Sequence, residues 1–231
     1  MLGFAGMQGK TVKARVYLVD DHPLVRESLA NLINQQTDME VCGETDTSSR
    51  ALDEMNALQP DLAIVDISLK ESSGLELIKA IKAKVPQLAI IVLSMHDEEL
   101  YAERCIRAGA SGYVMKRESS MRIAVAVREA LAGKLSVSDQ IAAVFAEKFV
   151  SRRKIDATSP IHALSDRELE VFGLLGKGLA TRQVAEKMNV SIKTVQAYCA
   201  RIKQKLHLST ATELLREAIH WHDQNTDGLV S

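Results

Sequence analysis

Aromatic residues make up only 4% of the 231-residue chain: four Phe, four Tyr and one Trp. Its cores must therefore be aliphatic, and an apolar fraction of 46% is enough to fill them. Cysteine is scarce as well. Cys42, Cys105 and Cys199 are odd in number and far apart, and no two stand in a CxxC spacing. That excludes a zinc site or a disulfide framework as the organising feature. Each is expected to be a small, buried apolar residue in a reducing compartment. No apolar run approaches the roughly 18 residues of a membrane span. The opening stretch from Met1 to Met7 lacks the charged start and long apolar run of a signal peptide, so it reads as a loose tail. Neither sign of charge dominates: 29 basic residues stand against 30 acidic ones, a net charge of −1. Bulk attraction to nucleic acid is thus weak, and any strong attraction must be local. Repeats and low-complexity tracts are also lacking. The length fits two domains better than one.

What is present divides at about residues 150–160. Before it, strand-like and helix-like segments alternate five times, with strands expected at 15–19, 39–44, 62–66, 88–94 and 111–115. The strands are near-continuous apolar runs, as a parallel sheet covered on both faces requires. Two helical stripes lie between them, Leu24, Leu29, Leu32 and Ile33, and Leu75, Ile78 and Ile81. Four of the apolar runs end in polar residues: Asp20 and Asp21, Asp66, Ser94, and Lys116. In an open α/β sheet ligands bind at that edge. Carboxylates, a hydroxyl and an ammonium converging there suit phosphoryl chemistry with Mg²⁺, a hard cation that prefers oxygen ligands. Asp66 would be both ligand and nucleophile, since carboxylates form aspartyl-phosphate intermediates. Lys116 would pair with phosphoryl oxygens, and Ser94 would donate a hydrogen bond to one of them. Singly, each has a plainer reading: Asp21, His22 and Pro23 would serve as a helix start, and Lys116 as a solvated strand end. His96 reads as a solvated loop residue, and neither His22 nor His96 suggests a transition metal.

Residues 134–160 read as a connector, with a short helix over Ile141–Val150. Beyond it, four short helices are expected at 166–176, 182–188, 192–206 and 210–220. Ser165 with Glu168 makes a capping box. Thr181, Ser191, and Ser209 or Thr210 would cap the other three helices, and Gly178 suits a tight turn. Residues 177–206 carry seven basic side chains against Glu186 alone, a local charge of +6, whereas residues 160–231 sum to only +1. That concentration is the footprint of phosphate-backbone binding; a merely solvated face would usually mix signs.

Residues 15–133 resemble the receiver domain of two-component response regulators. The resemblance rests on Val19 to Pro23, Asp66, Gly74, Ser94 and the run from Gly109 to Lys116. It implies a flavodoxin-like, doubly wound five-stranded parallel sheet over 13–133. Asp66 would be the phosphoacceptor. Asp21 would bind Mg²⁺ directly, Asp20 largely through water, and the Ser68 carbonyl would complete the protein ligands. Tyr113 would be the aromatic that follows the state of Ser94; its plainer reading is a half-buried strand residue. Lys70 stands where the family often has proline. After a helical linker at 134–160, residues 161–225 resemble the LuxR/NarL/FixJ-type helix-turn-helix. The carrying residues are Leu164–Val171, Gly178, Val184–Ala185, Val190–Ser191, Thr194–Val195 and Arg201–Leu206. The third helix would lie in the major groove. Gln196 would read adenine and Ala197 a thymine methyl, with Thr194 also facing the bases, while Lys193, Arg201, Lys203 and Lys205 hold phosphates. Gln196 replaces a lysine common in the family, and Ala200 is smaller than usual.

The resemblance implies a cytoplasmic transcription regulator, not an enzyme beyond its own phosphorylation and dephosphorylation. Its implied partners are a sensor histidine kinase, double-stranded DNA, a second copy of the chain and, as a further candidate, RNA polymerase. Phosphorylation would draw Ser94 and Tyr113 inward and favour a DNA-binding dimer. A phosphatase or phosphotransferase would want an acid/base carboxylate where Ser68 stands. A protein-binding adaptor would show no salt-dependent DNA binding.

Overall fold

A computed structural model describes residues 13–69, 74–95, 98–150, 160–188 and 190–226. Lys70, His96, the opening tail, Asn189 of the expected helix-turn-helix link and the 151–159 part of the connector lie outside the described residues. The chain forms two compact units, one up to residue 143 and one from residue 144 onward.

The first unit is a five-stranded sheet in the order β2-β1-β3-β4-β5, parallel throughout. The strands are β1 (Ala14–Val19), β2 (Met39–Thr45), β3 (Leu62–Asp66), β4 (Ala89–Ser94) and β5 (Gly112–Met115). Helices α1 (Pro23–Asn34), α2 (Ser48–Leu58), α3 (Gly74–Lys84) and α4 (Glu98–Arg107) supply the four crossovers, and α5 (Ser120–Leu131) follows β5. β3, β4 and β5 are buried along their whole length, as strands with helices over both faces must be. The core is aliphatic: Val16, Leu18, Ile33, Leu62, Ile64, Ile91 and Val127 are buried together. The strand order reverses between β1 and β3, so their C-terminal ends flank the crevice where this topology binds ligands.

Two expectations on α1 are corrected. Leu29 and Ile33 are buried, but Leu24 is 76% exposed and does not belong to the core stripe. It sits in the first turn, one residue after Pro23 at the helix start, where the spacing still fits but no second layer covers it. His22 is the N-cap, and its side chain makes no capping bond. Past α5 the chain turns back to the sheet. Ser136 bridges Gly112, accepts from the Tyr113 N–H at 2.8 Å and donates to the Ser111 carbonyl at 3.0 Å. Helix α6 (Asp139–Val150) follows, with Ser138 Oγ accepting from the Ile141 N–H at 3.2 Å.

The second unit is helical: a 3₁₀ turn (Pro160–Ala163), then α7 (Asp166–Gly176), α8 (Thr181–Lys187), α9 (Ile192–Lys205) and α10 (Ala211–Thr226). Leu169, Phe172, Val184, Val195, Ile202, Leu214 and Ala218 form its core. Phe172 packs on Trp221 with ring centroids 5.6 Å apart. Gly178 has φ of +78°, the left-handed turn that glycine allows without strain. Ser191 caps α9, accepting from the Thr194 N–H at 3.0 Å. Thr210 caps α10, its Oγ1 accepting from the Glu213 N–H at 3.1 Å. Thr181 is not a cap: Ala180 holds that position, and Gln183 Oε1 accepts its N–H at 2.8 Å. The third helical residue reaches back to the amide of the cap residue, the half of a capping box that needs no hydroxyl.

Candidate functional site

The acidic pocket is built by strand ends. β1 and β3 run side by side with Val19 opposite Val65, so Asp20 and Asp66 emerge on the same edge. Both are nearly sealed from solvent, and so is Asp21. Ligand atoms of Asp20, Asp21, Asp66 and His22 all lie within 4.8 Å of one another. Lys116, directly after β5, reaches in from the far side: its Nζ donates to Asp66 Oδ2 at 2.8 Å. It also lies 2.6 Å from Asp20 Oδ2. The one ammonium is thus shared between the carboxylates of two strand ends. Asp66 Oδ1 accepts from the Ser68 N–H at 3.1 Å. Ser94 ends β4 fully buried, and Tyr113 on β5 is buried too. Tyr113 is thus fully buried rather than half-buried.

The electrostatics follow from the crowding. Burial pushes the Asp66 carboxyl above its ordinary value; Lys116 pulls it back and Asp20 pushes it further up. Burial works against the Lys116 ammonium, but Asp66 and Asp20 outweigh it and hold its pKa above the usual lysine value. Lys116 therefore stays charged, one cation facing three buried carboxylates. An ionised Asp66 with one oxygen bonded to Lys116 is a localised nucleophile in a site short of positive charge.

Gly74 places the opposite wall. It opens α3, and its N–H donates to the Ile67 carbonyl at 3.0 Å. A Cβ there would collide with the Asp66 carbonyl and the Ile67 Cα. Gly74→Ala should push α3 off the strand end, destabilising the first unit by about 1–3 kcal/mol. Urea unfolding measures it, and a variant as stable as wild type contradicts the packing.

On the second unit, α9 presents one continuous exposed face. Lys193, Gln196, Ala197, Ala200, Arg201 and Gln204 all lie on it, at the three- and four-residue spacing of a helix face. Val195 and Ile202 on the other side are buried. Arg201 stacks over the Tyr198 ring, its guanidinium carbon 5.0 Å from the centroid. Lys203 is half-buried at the edge of the stripe. Thr194 is half-buried and spends its hydroxyl on Ser191 Oγ at 2.8 Å, so it belongs to the cap more than to the face.

Lys205 departs from the expectation of a phosphate contact. Its Nζ donates to Glu168 Oε2 at 2.6 Å and to the Ala163 carbonyl at 3.0 Å. Glu168 is 2% exposed and also accepts from the Ser165 N–H at 2.7 Å. Burial raises the Glu168 pKa, but Lys205 and Ser165 outweigh it and hold the carboxyl below its ordinary 4.5. A lowered folded pKa contributes stability that is present above about pH 4.5 and lost as pH falls through the folded value. Lys205→Ala leaves a buried charge unpaired, and since the lysine is itself 37% exposed the loss should be about 1–3 kcal/mol. Thermal unfolding at pH 7 and pH 3.5 checks it: the deficit should shrink at the lower pH.

Comparison with known proteins agrees with this geometry. The family described as response regulator receiver domain matches residues 16–128, and bacterial regulatory proteins, luxR family, matches 162–218. The DNA-binding transcriptional activator DevR/DosR of Mycobacterium tuberculosis is 33% identical over 199 residues, covering 86% of this chain and 91% of that protein. Oxygen regulatory protein NreC of Staphylococcus carnosus is 34% identical over 209 residues, covering 89% and 96%. Among solved structures, a LuxR-family two-component response regulator from Aurantimonas sp. aligns with a TM-score of 0.56 and 32% identity over 60% of this chain and 99% of that one. RcsB from Salmonella enterica serovar Typhimurium, bound to a promoter in the presence of phosphomimetic BeF₃⁻, aligns at 0.56 and 26% over 90% and 98%. With both domain types matched in order and relatives aligned over nearly their full length, the chain belongs to the two-component response regulators of the NarL/FixJ family, a receiver domain followed by a LuxR-type helix-turn-helix domain.

Proposed function

We propose that Asp66 accepts a phosphoryl group from a sensor histidine kinase and that the phosphorylated chain binds DNA through α9 to regulate transcription. The observation that carries this reading is the gathering of Asp20, Asp21, Asp66 and Lys116 at one sheet edge. The Asp66 carboxylate attacks phosphorus, the bond to the kinase imidazole breaks, and that nitrogen leaves with the electron pair. Lys116 and the Ser94 hydroxyl take up the charge on the phosphoryl oxygens.

The residues fit Mg²⁺. Three buried carboxylates face a single ammonium, which is shared between Asp20 and Asp66. A hard divalent cation would balance that excess. Asp20, Asp21, Asp66 and the Ser68 carbonyl would hold it, and it would offset the repulsion between an incoming phosphoryl group and the pocket.

On α9, Gln196 and Ala197 face base edges, with Thr194 at their margin; Lys193, Arg201 and Lys203 hold phosphates, while Lys205 chiefly braces Glu168. The division of labour is a receiver over 13–133, a linker over 134–160 and a DNA-binding domain over 161–225, with the active form a homodimer on two half-sites about one helical turn (~34 Å) apart. The chemistry on Asp66 is switching rather than turnover, RNA polymerase is a further candidate contact, and the setting is the cytoplasm; no described helix is long and apolar enough to cross a membrane. DNA selection with phosphodonor-treated protein, with Asp66→Ala beside it, tests the reading. Enrichment of one sequence by the treated wild type alone is expected. Equal enrichment by both, or by neither, overturns it.

A further inference from the structure

We infer that Arg26 is a positioning residue for the pocket, setting its divalent-cation affinity by fixing the main chain between Asp20 and Asp21. This rests on the reading that those carboxylates hold the cation. Arg26 lies in the first turn of α1, with its side chain only 15% exposed. Its Nη1 donates to the Asp20 carbonyl at 2.6 Å, and its Nε faces Glu44 Oε1 at 3.6 Å. The amide on the other side of Asp20 is held as well: its N–H donates to the carbonyl of Thr45, itself buried at the end of β2, at 3.2 Å.

The peptide unit is planar, so fixing the direction of the Asp20 carbonyl fixes ψ of Asp20 and φ of Asp21 together. Changed separately, those two torsions redirect the Asp21 side chain relative to that of Asp20. The Asp20 side chain is tied in the same turn, Oδ1 accepting from the His22 N–H at 2.8 Å. With Asp20 held there, a change in either torsion alone would carry Asp21 away from the cluster it shares with Asp20 and Asp66. A guanidinium suits the task because its planar fork can face a carbonyl and a carboxylate at once while remaining charged. Groups that orient ligands from one layer out typically change metal affinity 10- to 100-fold when removed. The plainer role, pinning α1 to the end of β2, would leave cation affinity untouched.

Calorimetric titration with Mg²⁺ alone, on the unphosphorylated full chain, separates these roles in wild type, Arg26→Met, Arg26→Lys and Asp21→Asn. Each is also unfolded in urea. Arg26→Met should bind Mg²⁺ about 10-fold more weakly, and Arg26→Lys should recover part of the loss. Phosphodonor labelling should then need about 10-fold more Mg²⁺ for half its maximal rate, with the rate at saturating Mg²⁺ kept. Should Arg26→Met fail to fold, Arg26→Lys carries the test, with a weakening of a few-fold expected and none contradicting the role. If both Arg26 variants bind Mg²⁺ as wild type does while Asp21→Asn loses it, the inference is overturned and the cation reading stands. If Asp21→Asn also binds normally, the cation reading falls and takes the role of Arg26 with it.

Discussion

Asp66→Ala should reduce labelling by a small-molecule phosphodonor in Mg²⁺ to background, while leaving the chain folded. No neighbour can substitute for it. Asp20 and Asp21 follow β1 rather than β3, and Asp20 Oδ1 is already tied to the His22 N–H. Asp66 alone combines an oxygen bonded to Lys116 with a position at the end of a wholly buried strand. The same crowding makes a second, less obvious result expected. Burial and Asp20 hold the Asp66 pKa above its ordinary 3.8. A carboxylate with a raised folded pKa contributes stability below its unfolded pKa and loses it as pH rises through the folded value. At pH 7 and without a divalent cation, ionised Asp66 therefore works against the fold. Asp66→Asn should melt above wild type under those conditions, and the gap should narrow when Mg²⁺ is added. Wild-type labelling in Asp66→Ala would remove the phosphoacceptor assignment. An Asp66→Asn melting point at or below wild type would remove the electrostatic account of the pocket.

The second large effect concerns the α9 face. Lys193 and Arg201 are exposed on it, and neither has an acidic partner among the described ion pairs. Each phosphate contact contributes about 0.9 to the slope of log affinity against log salt. Replacing both by alanine should make that slope shallower by about 2 and weaken binding alike on all sequences. Gln196→Ala should behave differently. It should weaken the selected sequence by about 1–3 kcal/mol, leave random DNA nearly unchanged and keep the slope. Fluorescence anisotropy over a salt series separates the two patterns. A Gln196→Ala variant that loses random and selected DNA equally would move Gln196 from reading bases to positioning.

Most of the pocket is legible in sequence because each of its charged residues ends or follows an apolar run, and a buried parallel strand fixes where its last residue emerges. The helices of the second unit are legible within about one residue, except that α10 runs on to Thr226, past the expected end at 220. What escaped depends on neighbours that are far away in sequence. Lys205 reads as one more basic residue on a basic helix; only the fold brings it to buried Glu168, 37 positions earlier. Leu24 fits the apolar spacing of α1, yet the first turn extends past the layer that would cover it. Ala180 has no capping oxygen, so a sequence reader places the cap one residue late, although Gln183 three positions on carried the signal. The return of Ser136 to the Tyr113 amide left no trace, because one main-chain bridge needs no particular side-chain pattern. Arg26 carries no mark in the sequence for a related reason: its partner is the main-chain carbonyl of Asp20, a group that every residue possesses.

The claim that joins the two units is that phosphorylation at Asp66 raises affinity for DNA bound through α9. A phosphoryl group can shift that equilibrium only if it favours the binding-competent state energetically. The most direct measurement is the affinity of the full chain for its selected DNA at fixed salt, with and without phosphodonor and Mg²⁺, for wild type and Asp66→Ala. The account predicts tighter binding by treated wild type and no change in Asp66→Ala. Equal tightening in both, or none in wild type that is demonstrably phosphorylated, contradicts it.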